Sequence, residues 1–206
     1  MAKKSAYNVV LIRSGFTDWD VAGRVAGRID LPLASGDASG LGRVVNSLEG
    51  VELSSVLHGP DQCLLATAEA VARTTGGKLR KVADLVDVGM GLWEGLREQE
   101  LEDKFPSAHR EWRDHPLNVS VPEGEPLSEA THRLVGAIGR TLEKLRHSDP
   151  GVGIVLRPMS FELVRAWITP TEGPAAGSTE ADHVCEWHEL SRERLREARE
   201  GAGVGG

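Results

Sequence analysis

The spacing of apolar positions changes several times along the chain, and each change marks an element. Val9 to Ile12 is an unbroken apolar run, the pattern of a strand buried on both faces. Leu41, Val44, Val45 and Leu48 recur at helical spacing and predict a helix over about Ala38 to Leu48. Val51 to Leu57 reads as a second strand. Gly59-Pro60 then starts a helix, with proline near its first position and Leu64, Ala68, Val71 and Ala72 on its inner face. Gly76-Gly77 ends that helix, and Lys78 to Val82 predicts a third strand.

Asp84 to Gly95 is interrupted by three glycines and reads as a loop. Leu96 to Pro126 mixes charges and four prolines with Phe105 and Trp112, which predicts a partly helical insertion over the sheet's edge. The clearest helix is Leu127 to Arg146, where Leu127, Ala130, Leu134, Ile138, Leu142 and Leu145 form one stripe and Pro150-Gly151 follows as a stop. Val152 to Leu156 is another buried strand, and Leu163, Val164, Trp167 and Ile168 predict a helix after it. Thr169 to Glu180 reads as a linker-like loop. His183 to His188 reads as a last strand, and Ser191 to Glu200 as a surface helix capped by Ser191.

Strands alternating with helices predict an α/β fold, a three-layer sandwich around a mostly parallel sheet. At 206 residues this is one domain over 1–200, with an insertion at about residues 90–126 and a frayed tail at 201–206. A net charge of −7 argues against nucleic-acid binding, and no apolar run reaches membrane-spanning length. Two cysteines, Cys63 and Cys185, make no disulfide framework and no zinc spacing, so a reducing cytoplasm is the expected location. His183, Cys185 and His188 make a poor metal set, because residues 185 and 188 of a strand face opposite ways. His109 and His115 flank Trp112 in a segment expected to be solvated. No metal or cofactor is expected.

The chemistry concentrates where the first strand ends. Arg13-Ser14-Gly15 follows the apolar run directly, the place where open α/β sheets put ligands. After it come Thr17, Trp19, Gly23-Arg24, Gly27, Asp30 and Pro32-Leu33. Further on are Pro60, Thr67-Ala68-Glu69, Leu85, Gly91, Trp93-Glu94-Gly95, and Pro122 with Gly124-Glu125. This order and spacing resemble the histidine phosphatase superfamily, the phosphoglycerate-mutase-like fold, over roughly residues 7 to 168.

The resemblance implies a phosphoryl-transfer site. One histidine attacks phosphorus, two arginines and a second histidine hold the phosphoryl oxygens, and an Asp or Glu protonates the leaving group. In this chain the nucleophile position carries Ser14 and the second arginine position carries Cys63. The second histidine position falls on Ser160 without a gap, or on Pro158 with a two-residue shift. Asp87 stands at the acid position, and Asp20 replaces the family's asparagine. Arg13, Thr17, Asp20, Arg24 and Cys63 are the candidate ligand-binding residues.

On this reading Asp20 and Asp87 face one arginine. Repulsion of a phosphate dianion is then on the order of 4 kcal/mol per close unit pair, and each lost donor costs about 3 kcal/mol in rate. A serine hydroxyl is a weak nucleophile without a base. His58 and Arg157 are the remaining groups near strand ends that could compensate. The residue types favour a strand-end hydrogen bond for His58, a surface or ion-paired role for Arg157 and apolar filling for Cys63. The leading expectation is a degenerate member that has lost phosphohistidine catalysis, with a small anion held weakly in the cleft at most. A phosphatase or mutase using another nucleophile is the alternative, and an interaction module built on the Trp93–Trp112 insertion is a third. The sequence names no protein partner.

Overall fold

The computed structural model of the chain describes residues 6–114, 119–145, 149–169 and 184–201. Five strands form one sheet in the order β3-β2-β4-β1-β5. They are β1 (Ala6–Arg13), β2 (Ser55–His58), β3 (Lys78–Lys81), β4 (Val152–Leu156) and β5 (Cys185–Ser191). All neighbours are parallel except β1 and β5, which run antiparallel. The apolar runs of β1 and β4 lie in the middle of this order and are buried on both faces, as unbroken hydrophobicity requires.

Alternate residues of β1 feed two cores. Val10 and Ile12 pack with Val44 and Leu48 near α2 (Leu41–Asn46) and with Leu64, Ala68 and Val71 of α3 (Gln62–Thr75). Val9 and Leu11 pack with Leu134, Ile138 and Leu142 of α6 (Leu127–Lys144) and with Phe161 and Val164 of α7 (Pro158–Ile168). Leu195 of α8 (Arg192–Gly201) joins the second cluster. The three-layer α/β arrangement expected from the sequence is present.

Several boundaries move. The helix expected from Ala38 begins only at Leu41, because Gly40 takes a left-handed φ of 64° between a 3-10 turn and α2. The second strand is limited to Ser55–His58. Pro60 lies before α3 rather than inside its first turn, and Asp61 is the N-cap. The loop before Gly95 contains two 3-10 turns, Ala83–Leu85 and Gly91–Trp93. Ser191 caps α8 as expected, its Oγ accepting from the Arg194 amide at 3.2 Å.

The insertion contributes α4 (Glu98–Lys104) and α5 (Pro106–Asp114). Within it Trp93 is 0% exposed and packs on the partly buried Phe105 and Trp112. His109 is also buried rather than solvated, with Nε2 3.4 Å from Glu98. His115, His183, most of the linker-like segment and residues 202–206 of the tail lie outside the described residues, while Gly201 ends α8. Among the described residues, no helix is long and apolar enough to cross a membrane.

Candidate functional site

The site forms because β1 and β4 are neighbours that end level. Arg13 pairs with Leu156, and the Ser14 amide donates to the Leu156 carbonyl at 2.8 Å. Ser14 and Arg157 therefore leave the sheet side by side, at the carboxyl ends of adjacent parallel strands. Pro158 at the first turn of α7 turns the chain without wasting a helix donor. The first turn of α3 adds Cys63, the loop after β3 adds Asp87, and α1 (Asp18–Val21) adds Asp20. Arg13, Ser14, Cys63, Asp87, Arg157 and Ser160 are all buried.

Arg157 is the hub. Its Nη2 donates to both oxygens of Asp20, at 2.9 and 2.8 Å. Its Nη1 lies 3.4 Å from Ser14 Oγ, 3.4 Å from the Gly15 carbonyl and 3.3 Å from Cys63 Sγ. Its Nε is 3.9 Å from Asp87 Oδ2. Ser160 Oγ donates to Asp87 Oδ1 at 2.6 Å. Ser14 Oγ donates to the Gly15 carbonyl at 3.0 Å, and Cys63 Sγ donates to the same carbonyl at 3.2 Å. Asp20 also accepts from the Thr17 amide at 2.6 Å and the Thr17 hydroxyl at 2.7 Å. That closes the capping box of α1.

Burial and charge work against each other here. Burial weakens the Arg157 proton affinity, but Asp20, Cys63 and Asp87 outweigh it and hold the guanidinium charged above its ordinary range. Burial pushes the Asp87 carboxyl up, and the opposing pull of Arg157 and Ser160 does not cancel it. Burial likewise raises the Cys63 thiol despite Arg157 beside it. Arg13 is shifted down by burial and by the repulsion of Arg157 and Arg43, against the pull of Glu162 and Asp20.

The family description "Histidine phosphatase superfamily (branch 1)" matches residues 9–197. The chain belongs to the histidine phosphatase superfamily. Among curated relatives, phosphoserine phosphatase 1 of Hydrogenobacter thermophilus is 21% identical over 167 residues, covering 77% of this chain and 79% of that protein. The probable phosphoglycerate mutase GpmB of Proteus mirabilis is 24% identical over 142 residues, 69% of this chain and 66% of the mutase. Among solved structures, YhfR of Bacillus stearothermophilus superposes with a TM-score of 0.72 at 22% identity, over 92% of this chain and all of that one. A mycobacterial glucosyl-3-phosphoglycerate phosphatase gives 0.72 at 18% identity, over 89% of each chain. At these identities the superpositions establish a shared fold with histidine phosphatases.

Measured against that superfamily's pattern, the side chains sort into two groups. Ser14, Cys63, Asp20 and Asp87 meet around one point, with Thr17 fastened to Asp20. Arg24 is engaged elsewhere, donating to the Gly95 carbonyl at 2.6 Å with Glu100 at 3.8 Å. Neither Pro158 nor Ser160 is hydrogen-bonded to Ser14; Pro158 opens α7 and Ser160 is committed to Asp87. The group that reaches Ser14 from this segment is Arg157, so the expectation of one arginine against two carboxylates is corrected to two arginines. Arg157 is ion-paired, as expected, but internal rather than on the surface. Cys63 is not apolar filling, since its sulfur contacts a guanidinium and a carbonyl. His58 hydrogen-bonds its neighbour's Gly59 carbonyl through Nδ1 at 2.7 Å, the bland role expected of it.

Sequence reasoning missed Arg133 entirely. From α6 it donates to the carbonyls of Asp84 and Val86 at 2.7 and 2.8 Å and grips Glu125 through Nε and Nη2. Arg28 reaches the Asp87 carbonyl at 3.3 Å and Glu125 at 3.0 Å. Together they fix the backbone that presents Asp87.

Proposed function

We propose that this chain has lost the phosphohistidine chemistry of its superfamily and keeps the cleft as a non-catalytic remnant. The surroundings of Ser14 carry this reading. Among the described residues, no imidazole or carboxylate hydrogen-bonds to Ser14 Oγ; it meets a carbonyl, a thiol and a guanidinium. An arginine cannot accept the serine proton, and an unactivated hydroxyl does not attack phosphorus at a useful rate. The charge meant for a phosphoryl group is already neutralised from within, since Arg157 is paired with Asp20 and lies beside Asp87.

A second reading, phosphomonoester hydrolysis or transfer through another nucleophile, draws on the names of the relatives and on one contact. Cys63 Sγ lies 3.3 Å from Arg157 Nη1 in the first turn of α3. Burial keeps that thiol protonated and it donates to a carbonyl, which weakens it as a nucleophile.

Incubation with a phosphomonoester, acid or base quenching, and intact-mass measurement separate the readings. No phosphoryl adduct is expected. An adduct that maps to Ser14 or Cys63 contradicts the proposal.

A further inference from the structure

Asp20 is held as a bound anion is held. Arg157 Nη2 donates to both of its oxygens, and the Thr17 amide and hydroxyl both donate to Oδ2, at 2.6 and 2.7 Å. These donors come from the β4–α7 junction and from the turn that opens α1, and they converge beside Ser14. We infer that Asp20 is the chain's own occupant of an oxyanion seat built by Arg157 and Thr17, and that the seat takes free phosphate only once Asp20 is replaced.

The chemistry of the donors points to an oxyanion. A guanidinium, a backbone amide and a hydroxyl form charge-assisted hydrogen bonds with carboxylate and with phosphate alike. The competition favours the tethered group. A carboxylate held a few residues from its seat acts at an effective concentration above that of millimolar free ligand. Its tether is short and stiff, because Thr17 and Asp20 close a capping box on each other. The pair is also largely out of water, with side-chain exposures of 5% for Arg157 and 14% for Asp20, so little solvent screens it. Replacing Asp20 removes the internal anion and its repulsion of an incoming one together. It leaves Arg157 with Asp87 at 3.9 Å and with the buried Asp61 near enough to interact.

The inference rests on the non-catalytic reading above, but it is read out as binding rather than turnover. Inorganic phosphate is titrated calorimetrically into the wild type, D20N, D20A and the double variant D20N/R157M, with thermal melting of each as the folding control. The expected result is a phosphate affinity at least ~10-fold tighter in D20N and D20A than in the wild type, and loss of that gain in the double variant. Equal affinity in the wild type and D20N overturns the inference. So does a cooperatively melting D20N that binds no phosphate. If neither single variant melts cooperatively, amide shifts of the wild type under phosphate decide: movement of Thr17 and Asp20 at low millimolar phosphate overturns it, and no movement supports it. Turnover by the wild type would sink the functional proposal while leaving this order of affinities to stand or fall by itself.

Discussion

A guanidinium that is 4% exposed cannot exchange its protein partners for water. Arg157→Met therefore leaves Asp20 without its bidentate partner and Asp87 without its nearest cation, and is expected to destabilise the fold by about 3–5 kcal/mol in urea denaturation. Asp87 makes a separate prediction about pH. Its folded pKa is raised by burial, so across the window above the usual carboxylate range the folded state holds more protons than the unfolded chain. Its contribution to stability is fully present below that window and is lost as pH rises through it. Asp87→Asn removes this slope. The variant is expected to be more stable than the wild type above the window, with the difference shrinking as pH falls; denaturation curves across pH check the sign. Arg13, Ser14 and Asp87 could be placed from sequence because they sit inside spaced motifs. Arg157 could be placed only near a strand end, as one of two groups able to compensate, because its partners depend on β4 lying beside β1. That adjacency is a fact of strand order, which local spacing does not encode.

The loop that presents Asp87 is held from outside. Arg133 on α6 donates to three of its carbonyls, those of Asp84, Val86 and Asp87, and pairs with Glu125, whose side chain is 13% exposed. Arg133→Met is expected to cost about 2 kcal/mol, from the unsatisfied acceptors and from Glu125 left with Arg28 as its cationic partner. The turn at Gly91 has a φ of 46°, and an added Cβ would lie 2.2 Å from the Pro122 carbonyl oxygen. Gly91→Ala is expected to lose about 2 kcal/mol or more, measured by thermal or chemical melting. Helix α6 was legible because its apolar stripe has a helical period, yet the same stripe says nothing about what its polar face meets. The first turn of α2 was misread because Gly40 breaks a pattern that apolar spacing alone carries straight through. Strand β5 was legible as an extended segment, but its antiparallel direction is set by a connection that hydrophobicity does not describe.

Across the whole molecule, the histidine phosphatase framework is kept, and on the reading proposed above its phosphohistidine chemistry is not. Strand order, the two cores around β1 and the loop network at Asp87 serve the fold whatever fills the cleft. The side chains at its centre pair with one another, and among the described residues no imidazole or carboxylate hydrogen-bonds to Ser14. Hydrolysis of a generic phosphomonoester by the purified chain, beside Arg13→Ala and Ser14→Ala, tests this most directly. The account expects no turnover above background, or a trace untouched by either substitution. Turnover that both substitutions abolish would contradict it and make this cleft a working active site.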